Sequence, residues 1–301
     1  MSEASSTLKN PNMKIKSFFD EATATVTYLV YDLKSKVAIV IDPVLDYDPA
    51  SSQYSFESLD QLCSYLNSEN LQLKYCFETH AHADHLSGAL ELKKRLPQIT
   101  IAIGERIKEV QDVFGKLFHF GSSFKADGSQ FDHLLKDEEI IEVGSLKIKT
   151  LFTPGHTPAC CSFLIEDALF TGDALFMPDT GTGRCDFPKG SSKTLFKSIQ
   201  KKIFSLPDST RTFTGHDYKG GGLREARWES TVGEQKKNNI QLNIESTEES
   251  YCKMRDARDA TLSAPRLLLP SIQINILGGA FPDPEANGMS YIKLPLRPKK
   301  Q

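Results

Sequence analysis

The stretch Thr79-His80-Ala81-His82-Ala83-Asp84-His85 holds three of the chain's seven histidines and one aspartate. In an extended segment, residues i and i+2 face the same side, so His80 and His82 share one face. Imidazole and carboxylate groups are the usual protein ligands of zinc and of non-haem iron. The stretch therefore predicts a metal-binding loop, and the alternative is a polar loop whose histidines are satisfied by hydrogen bonds.

Four predicted strands end in short turns that carry histidine or aspartate. The strands cover residues 71–77, 146–152, 169–171 and 211–214, and the turns that follow them carry residues 80–85, His156, Asp173 and His216. Side chains on loops at strand ends can converge while the sheets hold them rigid. We therefore expect His156 and Asp173 to be metal ligands, and His216 to be either a ligand or a group that orients one. For His119 and His133 a structural role is preferred.

Hydrophobic periodicity predicts the remaining elements. It indicates strands over residues 22–30, 37–41 and 161–165, helices over 56–66, 86–96, 104–118 and 193–204, and an irregular surface segment over 121–137. The first strands are expected to pair through hairpins, and residues 161–171 are expected to form another hairpin. The chain has no long linker, which favours one catalytic domain with a C-terminal appendage.

Composition narrows the range of partners. The chain has 36 Lys and Arg residues against 39 Asp and Glu residues, so no basic surface is expected for nucleic acid or for an anionic membrane. No apolar run approaches the ~20 residues that a membrane span needs. The six cysteines form no CxxC pair, and Met1–Pro11 lacks the pattern of a secretory signal. These features predict a cytoplasmic protein with reduced thiols, and they leave a homodimer open.

Four motifs carry a resemblance to a known family. The segments at residues 79–85, 153–157, 170–173 and 215–218 read Thr-His-Ala-His-Ala-Asp-His, Thr-Pro-Gly-His-Thr, Phe-Thr-Gly-Asp and Gly-His-Asp-Tyr. Their order and spacing are similar to those of the metallo-β-lactamase superfamily. The resemblance implies an αββα sandwich, in which two sheets lie face to face with helices outside. We expect a lead-in over residues 1–13, a catalytic domain over 14–245 and a C-terminal extension over 246–301 that packs on it.

Further segments resemble one branch of that superfamily. Residues 183–187, 216–218 and 230–239 look like those of persulfide dioxygenases, and residues 176–188 and 269–295 look like the bacterial branch called β-lactamase hydrolase-like. One position departs from the pattern, because Cys185 stands where the mitochondrial-type members carry threonine. That departure lies next to Arg184, where the thiol is expected to be recognised.

The resemblance implies one Fe(II) per chain, held by His80, His156 and Asp173. The implied reaction oxidises a thiol persulfide with O2 to sulfite and the thiol, commonly glutathione. Four more groups would surround the metal and its ligands, namely His82, Asp84, His85 and His216. Arg184 and Tyr218 are candidates for holding the thiol, and the alternative for Arg184 is a pairing with Asp186 or Asp179 that only holds the loop.

The resemblance also leaves a hydrolase open. In a binuclear hydroxyacylglutathione hydrolase or similar thioesterase, two zinc ions per chain would activate a hydroxide for attack on a thioester. His80, His82 and His156 would hold one ion, Asp84, His85 and His216 the other, and Asp173 would bridge them. A third, non-enzymatic alternative is a metal-stabilised scaffold or a sulfur-sensing module.

Overall fold

The computed structural model describes residues 11–296 and residue 298. In chain order its strands are β1 (Met13–Asp20), β2 (Thr25–Asp32), β3 (Val37–Ile41), β4 (Val44–Asp48), β5 (Gln53–Ser55), β6 (Gln72–Glu78), β7 (Leu86–Ser87), β8 (Thr100–Gly104), β9 (His133–Leu135), β10 (Ile140–Val143), β11 (Leu146–Phe152), β12 (Cys161–Ile165), β13 (Ala168–Gly172), β14 (Arg211–Thr214) and β15 (Glu229–Thr231). The helices are α1 (Glu57–Ser68), α2 (Ala89–Arg95), α3 (Ile107–Leu117), α4 (Ser192–Ser198), α5 (Lys219–Gly222), α6 (Val232–Asn238), α7 (Glu248–Asp259) and α8 (Leu268–Asn275), and α4 continues as a π-helical turn over Ile199–Ile203.

Two six-stranded sheets form the centre of the molecule. The first has the strand order β1-β2-β3-β6-β8-β9, and its first three strands are antiparallel while the rest are parallel. The second has the order β10-β11-β12-β13-β14-β15, and only β13 and β14 pair in parallel. A small third sheet joins β5, β4 and β7.

The two large sheets bury their facing sides against each other. Alternate β-branched and aromatic residues of β2, β3, β10–β13 and β14 form one buried cluster that includes Val30, Ile39, Phe163 and Phe170. The Tyr28 hydroxyl crosses this layer and donates a hydrogen bond to the Thr214 carbonyl. Since a strand presents successive side chains to opposite faces, each sheet has a second apolar face that needs a cover.

Helices cover both outer faces. Residues of α1, α2, α3 and α8 pack on the first sheet, and residues of α4, its π-helical continuation, α6 and α7 pack on the second. The layers are therefore helix, sheet, sheet and helix, which confirms the αββα sandwich. Within residues 11–296 and residue 298, no helix is long and apolar enough to cross a bilayer.

All seven predicted strands are present, and two other predictions differ from the structure in part. The helix expected over residues 86–96 begins only at Ala89, because Leu86 and Ser87 form a strand that pairs with β4. A side chain at Gly88 would meet Leu59 at 2.6 Å, so the chain turns there at a glycine. The segment 121–137, expected to be irregular, contains the edge strand β9.

Two of the predicted domain bounds can be compared with the structure. Most of the lead-in expected over residues 1–13 lies outside the described residues, and Met13 already belongs to β1. The predicted boundary after residue 245 stays a prediction. Beyond it, α7 packs beside α4 on one outer layer, and α8 lies beside β7 on the other.

Candidate metal centre

The predicted ligands meet at one end of the sandwich. His80 follows β6 of the first sheet, while His156, Asp173 and His216 follow β11, β13 and β14 of the second. All four side chains are buried. The long-range arrangement therefore brings the strand ends of both sheets to one site.

His80, His156 and Asp173 form a compact set of donor atoms. One ligand atom from each lies within 4.8 Å of the others. Asp173 Oδ2 lies 3.9 Å from His80 Nε2 and 3.6 Å from His156 Nε2. Two imidazoles and one carboxylate at these separations match the donor type of a three-ligand metal site with open positions.

Hydrogen bonds fix which ring nitrogen of each histidine faces the site. His156 Nδ1 donates to the Arg184 carbonyl at 2.6 Å, so Nε2 carries the lone pair that can bind a metal. The Thr79 hydroxyl donates to Asp42, so His80 Nδ1 donates to that hydroxyl at 3.0 Å. Burial lowers the pKa of His80 well below 6.5 and keeps the ring neutral. Its Nε2 is buried without a partner among the described protein atoms, as a metal ligand would be.

A second set lies beside the first. His82, Asp84, His85 and His216 also offer ligand atoms within 4.8 Å of one another. His216 Nε2 lies 3.2 Å from Asp84 Oδ2 and 3.3 Å from Asp173 Oδ1. Asp173 therefore turns one oxygen toward each set, and it is placed to bridge two ions.

His82 shares one donor group with Asp84, His85 and His216 and another with Asp42 and Glu78. Its Nε2 lies 3.0 Å from Asp42 Oδ1 and 3.4 Å from Glu78 Oε2, and both carboxylates are buried. Burial opposes a charge on this ring, but Asp42 and Glu78 raise the pKa of His82 well above 6.5. The hydrolase alternative grouped His82 with His80 and His156. The His82 ring lies next to the His80 ring, with centroids 4.1 Å apart, but its Nε2 lies against Asp42 and Glu78. Sequence reasoning missed Asp42, although it follows the apolar run of β3, and Glu78, which directly precedes the loop.

A cavity of about 400 Å³ opens beside the first set. His156 and Asp173 lie in its wall, together with Phe176, Phe187 and Tyr218. The Tyr218 ring is stacked near His216, with ring centroids 6.0 Å apart. The size suits a small organic ligand whose reactive end reaches the donor set.

Arg184 also lines this cavity, but its guanidinium is occupied. Its Nε and Nη2 donate to the two carboxylate oxygens of Asp186 at 2.6 and 2.7 Å, and Nη1 donates to the Ser263 carbonyl at 2.7 Å. The pairing with Asp186 is the loop-holding alternative for this residue. Cys185 is buried, and its backbone N–H donates to Asp259.

Asn275 of α8 holds the metal-binding loop, and no sequence signal pointed to it. Its amide nitrogen donates to the carbonyls of His82 and His85 at 2.8 Å, and its oxygen accepts from the Ser87 N–H at 2.8 Å. The side chain is 4% exposed, so water does not compete for these bonds. A sequence separation of about 190 residues hides this contact from any local pattern.

The chain belongs to the metallo-β-lactamase superfamily, whose family profile matches residues 21–216. Members of this superfamily are metal-dependent enzymes. The match covers every residue of the two donor sets.

Relatives in this superfamily carry different names. The chain is 46% identical to a "Probable metallo-hydrolase" of Burkholderia pseudomallei, over 94% of this chain and 99% of that one. It is 44% identical to a "Beta-lactamase hydrolase-like protein" of Xylella fastidiosa, over 94% of this chain and 64% of that one. It is 33% identical to the human mitochondrial "Persulfide dioxygenase ETHE1", over 78% of each. The crystal structure of ETHE1 from Myxococcus xanthus superposes with a TM-score of 0.71 at 29% identity, covering 89% of this chain and all of that one. These relatives confirm the resemblance to persulfide dioxygenases and to the hydrolase-like branch.

Proposed function

We propose that the chain is an Fe(II)-dependent persulfide dioxygenase with one iron held by His80, His156 and Asp173. The overall reaction is RSSH + O2 + H2O → RSH + H2SO3, in which the outer sulfur is oxidised and O2 is reduced. The observation that carries the proposal is that His82 Nε2 lies against Asp42 and Glu78, although the His82 ring is next to that of His80. With His82 directed at Asp42 and Glu78, the set keeps two imidazoles and one carboxylate.

Bound at this set, ferrous iron supplies open coordination positions for a sulfur anion and for O2. The protein's own contribution is to fix the donors and to line the space beside them with apolar side chains. His156 is held in one tautomer by the Arg184 carbonyl, and His80 by the Thr79 hydroxyl. The rings of Phe176 and Phe187 supply an apolar wall beside the donors, which suits a soft sulfur group better than a hydrated one.

The relatives support this proposal unequally. The name that states a dioxygenase belongs to a relative 33% identical to the chain, whereas relatives at 44–46% carry hydrolase or hydrolase-like names. One structural observation also favours the binuclear hydrolase. Asp173 Oδ1 lies 3.3 Å from His216 Nε2 of the second donor set, as a bridging carboxylate requires. Two zinc ions per chain and thioester hydrolysis are therefore the second candidate.

Metal counting and oxygen uptake separate the two candidates. We expect protein purified without added metal to hold one iron per chain, and to consume O2 with glutathione persulfide while releasing sulfite. His85→Ala should leave the metal count near one, since His85 lies only in the second set. Two zinc ions per chain, a fall from two to one in His85→Ala, and acyl-glutathione hydrolysis without O2 uptake would replace the dioxygenase by the hydrolase.

A further inference from the structure

The charged residues that line the cavity are two aspartates and four arginines. Asp84 and Asp173 belong to the donor sets, where a bound cation would offset them. The other charged lining residues are four arginines, Arg184, Arg255, Arg258 and Arg266. Since like charges gathered in a cavity attract an opposite charge, the pairing of each arginine decides what the cavity wall can bind.

Two of the four arginines are already neutralised. Arg184 is paired with Asp186 through two hydrogen bonds. Arg255 is 1% exposed, and its guanidinium donates to Asp259 and to Gln241. These two side chains hold the cavity wall in place and offer no free charge to a ligand.

Arg258 and Arg266 are in a different situation. Both are exposed, and within residues 11–296 and residue 298 neither guanidinium forms a hydrogen bond or an ion pair. Arg258 lies in the last turn of α7, and Arg266 lies in the segment that leads to α8. Arg266 also lines a neighbouring cavity that contains Asp48. A hydrogen bond from Ser51 lowers the pKa of Asp48, and the charge of Arg266 adds to this effect. The positive charge of Arg258 is therefore less offset by acidic side chains than that of Arg266.

We infer that Arg258, assisted by Arg266, forms an anion-recognition site for a thiol cosubstrate that carries carboxylates. This inference rests on the proposed function, because it takes the thiol to occupy the cavity beside His156 and Asp173. The apolar side chains of Phe187, Leu262 and Leu267 line the space for the uncharged middle of such a molecule. The carboxylates then meet Arg258 and Arg266 while the sulfur lies beside the donor set.

The fork of a guanidinium matches a carboxylate and forms charge-assisted hydrogen bonds with it. At an exposed site we expect the low end of the range for such contacts, about tenfold in affinity per contact. The effect should depend on the ligand's charge, and salt should weaken it. A role in packing alone would not distinguish charged from uncharged ligands.

The test measures binding without turnover. Metal-loaded protein is titrated calorimetrically with S-methylglutathione, which is unreactive at sulfur and carries two carboxylates, and with its diethyl ester, which carries none. Wild-type protein should bind the acid at least tenfold more tightly than the ester. Arg258→Gln should weaken binding of the acid about tenfold and leave binding of the ester unchanged, and Arg266→Gln should have a smaller effect of the same kind.

Two further variants control for charge and fold. Arg258→Lys keeps the charge and should retain most of the affinity for the acid. Lys253→Gln removes an exposed charge from the same helix outside the cavity, so it should change nothing. Equal affinity for acid and ester, an equal loss for both in Arg258→Gln, or no binding at millimolar ligand would overturn the inference. A protein that shows the expected binding pattern but takes up no O2 would instead refute the dioxygenase alone.

Discussion

Replacing Asn275 by alanine should have two effects: it should loosen the metal-binding loop, and it should lower the stability of the whole protein. The change removes three hydrogen bonds of 2.8 Å and leaves the Ser87 N–H and two loop carbonyls buried without partners. At about 1 kcal/mol for each net hydrogen bond, the free energy of unfolding should fall by about 3 kcal/mol. For a chain of this size, that lowers Tm by roughly 5 °C.

The same change should weaken metal binding, because His82 and His85 lose the contact that fixes their backbone. Removal of a group that orients ligands commonly costs 10–100-fold in metal affinity. Scanning calorimetry gives the Tm, and competition with a chelator gives the metal affinity. Both measurements use the same purified protein, so the two losses can be compared directly.

Gln273→Ala is the matched control on the same helix. The Gln273 side chain is also buried and also makes three hydrogen bonds, but its partners are Leu269 and Lys293, away from the loop. It should lower Tm by a similar amount and leave the metal affinity unchanged. If Asn275→Ala keeps wild-type metal affinity, or if both variants lose it equally, α8 does not position the loop.

Three other changes test the metal site and the residues that surround it. His156→Ala should abolish tight metal binding, whereas the control His133→Ala should keep the metal and the activity. Normal metal content in His156→Ala would exclude His156 as a ligand. Gly183→Ala places a Cβ 2.0 Å from the Asp173 carbonyl oxygen. This overpacking should lower the free energy of unfolding by about 1–3 kcal/mol and reduce the metal content. An unchanged Tm would contradict this expectation. A hydrogen-bonded arginine lowers the pKa of Asp179 from 3.8 to about 2, so this pair stabilises the fold above about pH 4 and loses its effect as pH falls toward 2. Urea unfolding of Asp179→Asn should therefore differ from wild type at pH 6 and converge with it near pH 2, and a constant difference would argue against the pairing.

Local sequence predicted a metal-binding loop over residues 79–85 with His156 and Asp173 as further ligands, and the family resemblance selected His80, His156 and Asp173 as one set. His80, His156 and Asp173 each follow a strand whose apolar pattern is visible in the sequence, and the structure brings all three to one end of the sandwich. The reason is that strand ends are set by local periodicity, while a two-sheet core leaves little freedom in where those ends meet. The irregular segment 121–137 was harder, since the edge strand β9 has three residues and no clear alternation.

Only the tertiary structure decided which partner each polar side chain takes. Arg184 binds Asp186, His82 faces two buried carboxylates, and Asn275 reaches the loop from a helix far along the chain. Each of these side chains could satisfy its hydrogen bonds in several ways, and sequence spacing does not rank them. Packing does, because a buried polar group must use the partners that the folded chain places within about 3 Å of it.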